Sequence, residues 1–214
     1  MSIHRQLSSL TVPNSIALTF DDGPDPFWTP KILELLQVNH IIATFFLISK
    51  KAKQFPDLTR KINSQGHLIG NHSDSHSFLF SFFSSVFKKE MEQSQAIFEE
   101  ILGKRPRLFR PPRGIFTPML LHHIEKIKME FVLWSLMPGD YWFWHSSDRM
   151  KKKVSKKIKN GDILVFHDGL NLSNNDRSNT YHFLKEQLPE LKKKYQFVTL
   201  ETGLGVSGYF ENNP

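Results

Sequence analysis

The chain has 214 residues, a formal net charge of +7 and no cysteine. The absence of cysteine excludes disulfides, thiolate metal sites and a cysteine nucleophile, so His, Asp or Glu must bind any metal. The length fits one domain with a large core, which the 19 phenylalanines predict to be rich in Phe.

Strand-like and helix-like segments alternate along the chain. An apolar run at 15–20 predicts a buried strand, and Thr29 and Pro30 are typical of an N-cap and a first helical residue. The predicted elements that follow are a helix at 30–38, a strand at 41–48, a helix at 56–65, a strand at 67–70, a helix at 86–102, a strand at 108–109, a helix at 118–127, a strand at 130–134, a helix at 148–159, a strand at 163–166, a helix at 181–194 and a strand at 197–200.

Seven strands separated by helices predict an α/β fold with parallel strands and right-handed crossovers. At this length a small or incomplete (β/α) barrel fits better than an open doubly wound sheet. Reactive side chains follow the strands, and the carboxyl ends of parallel strands share one face, so the pattern predicts a single site there. These residues are Asp21, Asp22, His72, His76, Arg110, Asp140, His167 and Asp168.

The most informative segment is Thr-Phe-Asp-Asp-Gly-Pro at 19–24. Adjacent side chains on an extended segment point in opposite directions, so one carboxylate can bind a metal while the other handles a proton. The alternative is a surface turn, because Asp-Gly and Gly-Pro pairs are common in loops.

Two histidines four residues apart, His72 and His76, can face one cation. Together with Asp22 they would form a His₂-Asp set with open positions for water and substrate. The alternative is a serine-rich loop whose histidines bind nothing. Asp74, between them, is expected to contact solvent.

The segment Arg-Pro-Pro-Arg-Gly at 110–114 is stiff, because proline fixes its own φ and restricts the preceding residue. Arg110 can therefore lie beside Asp21 and stabilise its charged form; a proline-rich surface turn is the alternative. His167 ends an apolar strand, where it is either a core histidine or a general acid oriented by Asp140.

Two further features concern partners. Lysines at 151–159 alternate with apolar residues at helical spacing, which indicates a solvated helix face; weak contact with an anionic surface is the alternative. The aromatic segments 78–83 and 141–144 are interpreted as core, or alternatively as a sugar-stacking or lipid-facing surface. No nucleic-acid motif is present.

No apolar run reaches the roughly 18 residues of a membrane span. Residues 1–13 lack the charged-then-apolar layout of a signal peptide, so a cytoplasmic location is the favoured expectation.

These motifs, in this order, resemble the polysaccharide deacetylases of carbohydrate esterase family 4, the NodB-homology domain. The resemblance covers about 15–200 within a single domain of 214 residues, and it includes Leu-Val-Phe-His-Asp at 164–168 and the segment 137–141. It implies a distorted (β/α)₇ barrel and a metal-dependent hydrolase that removes N-acetyl groups from N-acetylglucosamine-type sugars or glycans.

The resemblance also implies roles for individual residues. Asp22, His72 and His76 would bind one divalent metal per chain, usually Zn²⁺. Asp21 would be the general base that deprotonates the metal-bound water, with Arg110 as its partner, and His167 would be the general acid, oriented by Asp140. The backbone N–H of Arg113 would stabilise the oxyanion, and Val165 and an aromatic residue such as Tyr141 would contact the acetyl methyl group.

Three positions depart from the family pattern. Arg113 stands where the family usually has an aromatic residue, Met137 replaces a carboxylate near Arg110, and Tyr141 replaces a tryptophan. O-deacetylation, hydrolysis of another small acylated substrate, and a non-catalytic glycan-binding domain of the same fold are the alternatives in function. All metal ligands and both proton-transfer residues are present, which favours the enzyme.

Overall fold

The computed structural model describes residues 2–8, 12–141, 146–169 and 176–211. Within these residues helices and strands alternate over most of the chain, as predicted, although two strands precede the first helix and two helices follow one another at 49–64. The strands are β1 (Ile3–His4), β2 (Ser15–Asp21), β3 (Thr44–Leu47), β4 (Leu68–Asn71), β5 (Leu108–Phe109), β6 (Glu130–Val132), β7 (Ile163–His167) and β8 (Gln196–Phe197). The helices are α1 (Trp28–Val38), α2 (Ser49–Gln54), α3 (Pro56–Ser64), α4 (Ser84–Leu102), α5 (Pro118–Lys126), α6 (Ser147–Lys157), α7 (Ser178–Lys192) and α8 (Leu200–Leu204), with 3₁₀ turns at Leu79–Ser81 and Pro112–Gly114.

The described strands form one curved sheet in the order β1-β6-β5-β4-β3-β2-β7, and every ladder is parallel. β8 pairs with the start of β2. Isolated bridges from Gln6 to Asp162 and from Leu136 to Leu164 connect the β1–β6 end of the sheet to the region of β7. The architecture is therefore the predicted distorted (β/α) barrel.

The register of the central strands determines where the polar residues meet. Asp21 pairs with His167 across β2 and β7, and Asn71 pairs with Phe109 across β4 and β5. The residues that follow, from Asp22 and His72 onward, therefore leave the sheet at the same edge.

The core is rich in phenylalanine, as predicted. Every residue of β2, β3 and β7 is buried, which is typical of parallel strands that are covered on both faces. Phe20 stacks on Phe45 with ring centroids 4.9 Å apart. The phenylalanines among the largest fully buried side chains are Phe20, Phe45, Phe46, Phe80, Phe98, Phe109, Phe131, Phe166 and Phe183.

Two predictions about the elements were wrong. Thr29 is not an N-cap, because α1 already begins at Trp28; its hydroxyl instead accepts from the Asp25 N–H and donates to Asp168. The last predicted strand ends early: β8 stops at Phe197, and residues from Leu200 form α8, capped by Thr199.

The lysine-rich segment forms α6. Met150 and Val154 are buried, whereas Lys151, Lys156 and Lys157 are exposed, which fits the solvated-face interpretation. Among the described residues, no helix combines the length and apolar character needed to cross a membrane.

Candidate active site and metal centre

Three potential metal ligands converge at the carboxyl edge of the sheet. The ligand atoms of Asp22, His72 and His76 all lie within 4.8 Å of one another, and the three side chains are buried. Asp22 Oδ1 is 3.4 Å from His72 Nε2 and 3.0 Å from His76 Nε2. Asp22 turns the chain out of β2 with a φ of 73°, and His76 closes its loop with a φ of 59°.

The donor atoms of this group suit a divalent metal. Asp22 Oδ1 is buried and accepts no hydrogen bond from any described residue, although two imidazole nitrogens face it. His72 Nδ1 hydrogen-bonds the Arg110 carbonyl oxygen at 2.8 Å, which directs Nε2 towards Asp22 as a lone-pair donor. One carboxylate and two imidazoles with converging lone pairs form a set that binds Zn²⁺ and similar cations.

The electrostatics of the group favour the protonation states that bind a metal. Burial alone would raise the pKa of Asp22, but His72 and His76 hold it well below its usual range. Burial lowers the pKa of His76, which favours the neutral imidazole.

The loop that carries the two histidines is anchored by a residue that sequence analysis missed. The carboxylate of Glu90, in α4, accepts hydrogen bonds from the N–H groups of Asp74 and Ser75 at 2.9 Å each and from the Ser75 hydroxyl. A charged residue on the buried side of an amphipathic helix was the available signal. The prediction for Asp74 was wrong: its side chain is buried and accepts from the Ser49 hydroxyl at 2.6 Å.

Asp21 lies beside this group with a fully buried arginine as its partner. Arg110 Nη1 donates to Asp21 Oδ1 and to the Thr19 hydroxyl at 2.7 Å each, and Nη2 donates to the Leu133 carbonyl. The guanidinium carbon lies 4.1 Å from the centre of the Phe46 ring. Asp21 Oδ2 remains directed towards His72 Nε2, at 4.0 Å.

His167 and Asp140 form a second buried pair at the same edge. His167 Nδ1 hydrogen-bonds Asp140 Oδ1 at 3.1 Å, and the His167 N–H donates to Asp140 Oδ2 at 2.7 Å. Thr180 adds a hydroxyl donor to Oδ2 at 3.1 Å. Burial is the largest influence on the pKa of His167 and lowers it, but Asp140, with Asp22 and Asp21, together outweigh burial and raise the pKa to about 9. The imidazole is therefore protonated at neutral pH.

These groups line one pocket of about 220 Å³. Arg110 and Asp140 lie behind it, hydrogen-bonded to residues that line it. Trp134 also lines the pocket; as one aromatic residue of a predicted strand, it gave no signal in the sequence. The other lining residues are Asp21, Asp22, His72, His76, Arg113, Met137, Tyr141, Val165 and His167.

Arg113 occupies the mouth of the pocket in a left-handed backbone conformation, with φ 58° and ψ 8°. A turn around it, from the Gly114 N–H to the Pro111 carbonyl at 3.0 Å, maintains this conformation. Within the described part of the chain its own N–H has no hydrogen-bond partner. The Arg113 side chain is exposed, with its guanidinium carbon 5.3 Å from the centre of the Phe78 ring.

A largely buried polar layer supports the loop after β2 from behind; sequence analysis placed Asp168 at the site but assigned Lys51 no role. Lys51 Nζ donates to the Asp22 carbonyl at 2.7 Å, and the Thr29 hydroxyl donates to Asp168 at 2.5 Å. Burial raises the pKa of Asp168 to about 7. A Cβ on Gly169 would lie 1.9 Å from the Asp22 carbonyl oxygen, so only glycine fits there.

The aromatic segment 78–83 does not pack as core throughout. Phe80 is buried, but Leu79, Phe82 and Phe83 are 48, 51 and 56% exposed, which contradicts the core interpretation for them. Tyr141 is half exposed beside His167, with ring centroids 5.9 Å apart. The rest of the second aromatic segment, 142–144, lies outside the described residues.

Comparison with known proteins identifies the family. Residues 10–132 match the polysaccharide deacetylase family model. The chain is 38% identical to a peptidoglycan-N-acetylglucosamine deacetylase of Bacillus cereus, over 88% of this chain and 89% of that protein. It is 29% identical to the peptidoglycan-N-acetylmuramic acid deacetylase PdaA of Bacillus subtilis, over 89% of this chain and 72% of that protein.

A solved structure agrees with this assignment. The crystal structure of the Bc1960 peptidoglycan N-acetylglucosamine deacetylase, in complex with a naphthalenyl N-hydroxybenzamide, superposes with a TM-score of 0.89 at 29% identity, covering 96% of this chain and 94% of that one. The chain belongs to the polysaccharide deacetylase family, whose members are hydrolases.

Proposed function

We propose that this family member is a metal-dependent N-deacetylase that removes acetyl groups from N-acetylglucosamine-type sugars or glycans. One observation carries the proposal: the Asp22, His72 and His76 group shares a 220 Å³ pocket with Asp21 and with His167. A metal site, a carboxylate and a protonated imidazole are the three components that amide hydrolysis by activated water requires.

The metal proposed for the site is Zn²⁺, one per chain, because a His₂-carboxylate set with open positions is typical of catalytic zinc. When bound, such a cation supplies a Lewis acid that lowers the pKa of a water ligand and polarises a carbonyl. The hydrogen bond of His72 Nδ1 to the Arg110 carbonyl orients His72 as a ligand.

Asp21 and His167 divide the proton transfers. Asp21 is the general base that accepts a proton from the attacking water; its Oδ1 is held by Arg110, which leaves Oδ2 directed into the site. His167 is the general acid that donates a proton to the departing amine, since Asp140 raises its pKa and keeps it protonated at neutral pH.

The remaining pocket residues position the acetyl group. The unpaired N–H of Arg113 can donate to the oxyanion that develops on the acetyl carbonyl. Val165 and Tyr141 line the pocket beside His167 and are proposed to contact the acetyl methyl group.

The same groups would serve an O-acetyl ester, so O-deacetylation is the second candidate function. A non-catalytic glycan-binding domain is a third, and contact of the exposed lysines of α6 with an anionic surface would be additional to any of them.

Metal analysis of the purified protein, followed by acetate release from acetylated saccharides, tests the proposal. We expect about one zinc per chain and release from N-acetylglucosamine oligomers. Asp21→Asn should abolish turnover while metal stays bound, and His72→Ala should lose the metal.

Matched controls on the surface are Asp148→Asn and His182→Ala, which make the same changes at exposed positions of α6 and α7. Full activity of Asp21→Asn would refute the mechanism. Stoichiometric zinc without acetate release from any N- or O-acetylated saccharide would favour the glycan-binding function.

A further inference from the structure

The two histidines of the candidate metal group are held by different parts of the fold. His72 directly follows β4, where its N–H donates to the Leu47 carbonyl of β3 at 3.0 Å and its Nδ1 hydrogen-bonds the Arg110 carbonyl. His76 comes four residues later, at the end of a turn that leaves the sheet. The sheet therefore fixes His72, whereas the position of His76 depends on the conformation of this turn.

The turn has a backbone conformation that is adopted only under constraint. Ser73 and His76, at its two ends, have φ values of 70° and 59°, in the left-handed region that residues other than glycine rarely occupy. The Ser73 hydroxyl accepts from the His76 N–H at 2.9 Å, and the Ser73 carbonyl accepts from the Ser49 N–H of α2 at 3.0 Å. Because such a conformation persists only where surrounding contacts fix it, the groups that bind the middle of the turn determine where His76 lies.

The N–H groups in the middle of the turn both bind one side chain of α4. Glu90 Oε2 accepts from the N–H groups of Asp74 and Ser75 at 2.9 Å each, and Glu90 Oε1 accepts from the Ser75 hydroxyl. On the other side of the turn, the Asp74 carbonyl accepts from the Lys50 N–H of α2 at 3.3 Å. One carboxylate thus holds the two peptide N–H groups that directly precede His76.

The environment of Glu90 indicates that its partners are the groups of this turn. It is 8% exposed, lies next to Met91 on the buried side of α4, and forms no ion pair with any described residue. A buried carboxylate is costly unless donors bind it, and its three donors all belong to the turn. Four residues further along α4, the Ser94 hydroxyl accepts from the Asn71 side chain at 2.7 Å. This face of α4 therefore supports the segment that carries both histidines.

We infer that Glu90 is the positioning residue for His76: it holds the turn so that the His76 imidazole stays beside Asp22, and it thereby sets the affinity of the site for its metal. This inference rests on the proposed function for the metal. Without the Glu90 carboxylate the two N–H groups lose their acceptor, the turn relaxes, and His76 Nε2 leaves its position 3.0 Å from Asp22 Oδ1. His72, held by the sheet, keeps its place.

Zinc affinity and the NMR signals of the histidine rings test this inference, with Glu90→Met as the main variant. Methionine has a similar length and favours the helix, but its sulfur is only a weak acceptor for the N–H groups of the turn. The zinc dissociation constant, measured by competition with a chelator, should rise about 10- to 100-fold. In metal-free protein with labelled histidines, the ring signals of His76 should shift or broaden while those of His72 stay in place.

Two further variants separate the hydrogen bonds from charge and from general effects on α4. Glu90→Gln keeps an oxygen that accepts from both N–H groups, so it should retain most of the zinc affinity; a loss as large as that in Glu90→Met would assign the effect to charge and overturn the inference. Glu92→Met makes the matched change at an exposed carboxylate of α4, which pairs with Lys88 at 3.8 Å, and should alter neither measurement.

Glu90→Ala, which leaves space for water at the two N–H groups, replaces Glu90→Met if circular dichroism shows that the methionine variant does not fold, with the same expected direction. Either unchanged zinc affinity or unchanged His76 signals in the folded variant overturns the inference. An equal change in the signals of both histidines also overturns it, because that result indicates general loosening of the fold. If the wild type binds no zinc, the proposed function fails instead, and the metal-free histidine signals alone decide whether Glu90 positions His76.

Discussion

The pair of Asp140 and His167 offers the sharpest test of the proton-transfer assignment, through the variant Asp140→Asn. The amide keeps the size of the side chain and an oxygen for His167, but it removes the negative charge. Asp140 is buried and supplies the largest of the carboxylate interactions that raise the pKa of His167 against burial.

The expected loss of kcat follows from the pKa of His167. With a pKa of about 9, about nine-tenths of the His167 imidazole is protonated at pH 8. Without Asp140 burial lowers the pKa against only Asp22 and Asp21, so we expect the pKa to fall towards its ordinary value of 6.5, at which about 3% of the imidazole is protonated at pH 8. If the protonated imidazole is the acid, kcat at pH 8 should fall about 30-fold.

The assay is the pH profile of acetate release between pH 5 and pH 10, with zinc content and thermal unfolding measured on the same samples. The basic limb of kcat should move down to about pH 6.5 in the variant. Thr180→Val is the matched control: it removes a neutral donor to the same carboxylate and retains the charge, so its limb should stay near that of wild type. An unchanged basic limb in folded, zinc-loaded Asp140→Asn would refute the reasoning.

Three further predictions concern the loop that follows β2 and carries Asp22, and the free energy of unfolding. Lys51→Met removes the donor to the Asp22 carbonyl and should weaken zinc binding about 10-fold by competition with a chelator, whereas the exposed Lys53→Met should not. Gly169→Ala must displace the Asp22 carbonyl and should lower the free energy of unfolding by about 3 kcal/mol in urea denaturation. In metal-free protein, the raised pKa of His167 contributes about 3 kcal/mol to the free energy of unfolding. This contribution is complete below pH 6.5 and is lost as the pH rises through about 9. If the difference in unfolding free energy between wild type and Asp140→Asn is the same at pH 6 and pH 10, the prediction is contradicted.

The sheet and the candidate metal-binding group were predictable from sequence because both depend on local patterns. Buried parallel strands appear as apolar runs, and polar residues directly after such runs must reach the same edge. Asp22, His72 and His76 were therefore identifiable without a structure, and the structure brings their ligand atoms within 4.8 Å.

The parts that sequence did not reveal depend on contacts between distant segments. Glu90 accepts a hydrogen bond from the N–H of Asp74, 16 residues away in the sequence, and Thr29 donates one to Asp168, 139 residues away. Thr29 has the local signature of an N-cap, but the buried carboxylate of Asp168 and the Asp25 N–H engage its hydroxyl instead. Tertiary hydrogen bonds of this kind override local propensity, because a buried polar group must find a partner.

The departures from the family pattern acquire a common physical meaning in the structure. Met137 lines the pocket where the resemblance leads us to expect a carboxylate, and buried Arg110 Nε has no hydrogen-bond partner among the described residues. Arg113 lines the same pocket at a position where the resemblance leads us to expect a neutral aromatic residue. One change removes a negative charge and the other adds a positive charge, so both make the pocket more positive.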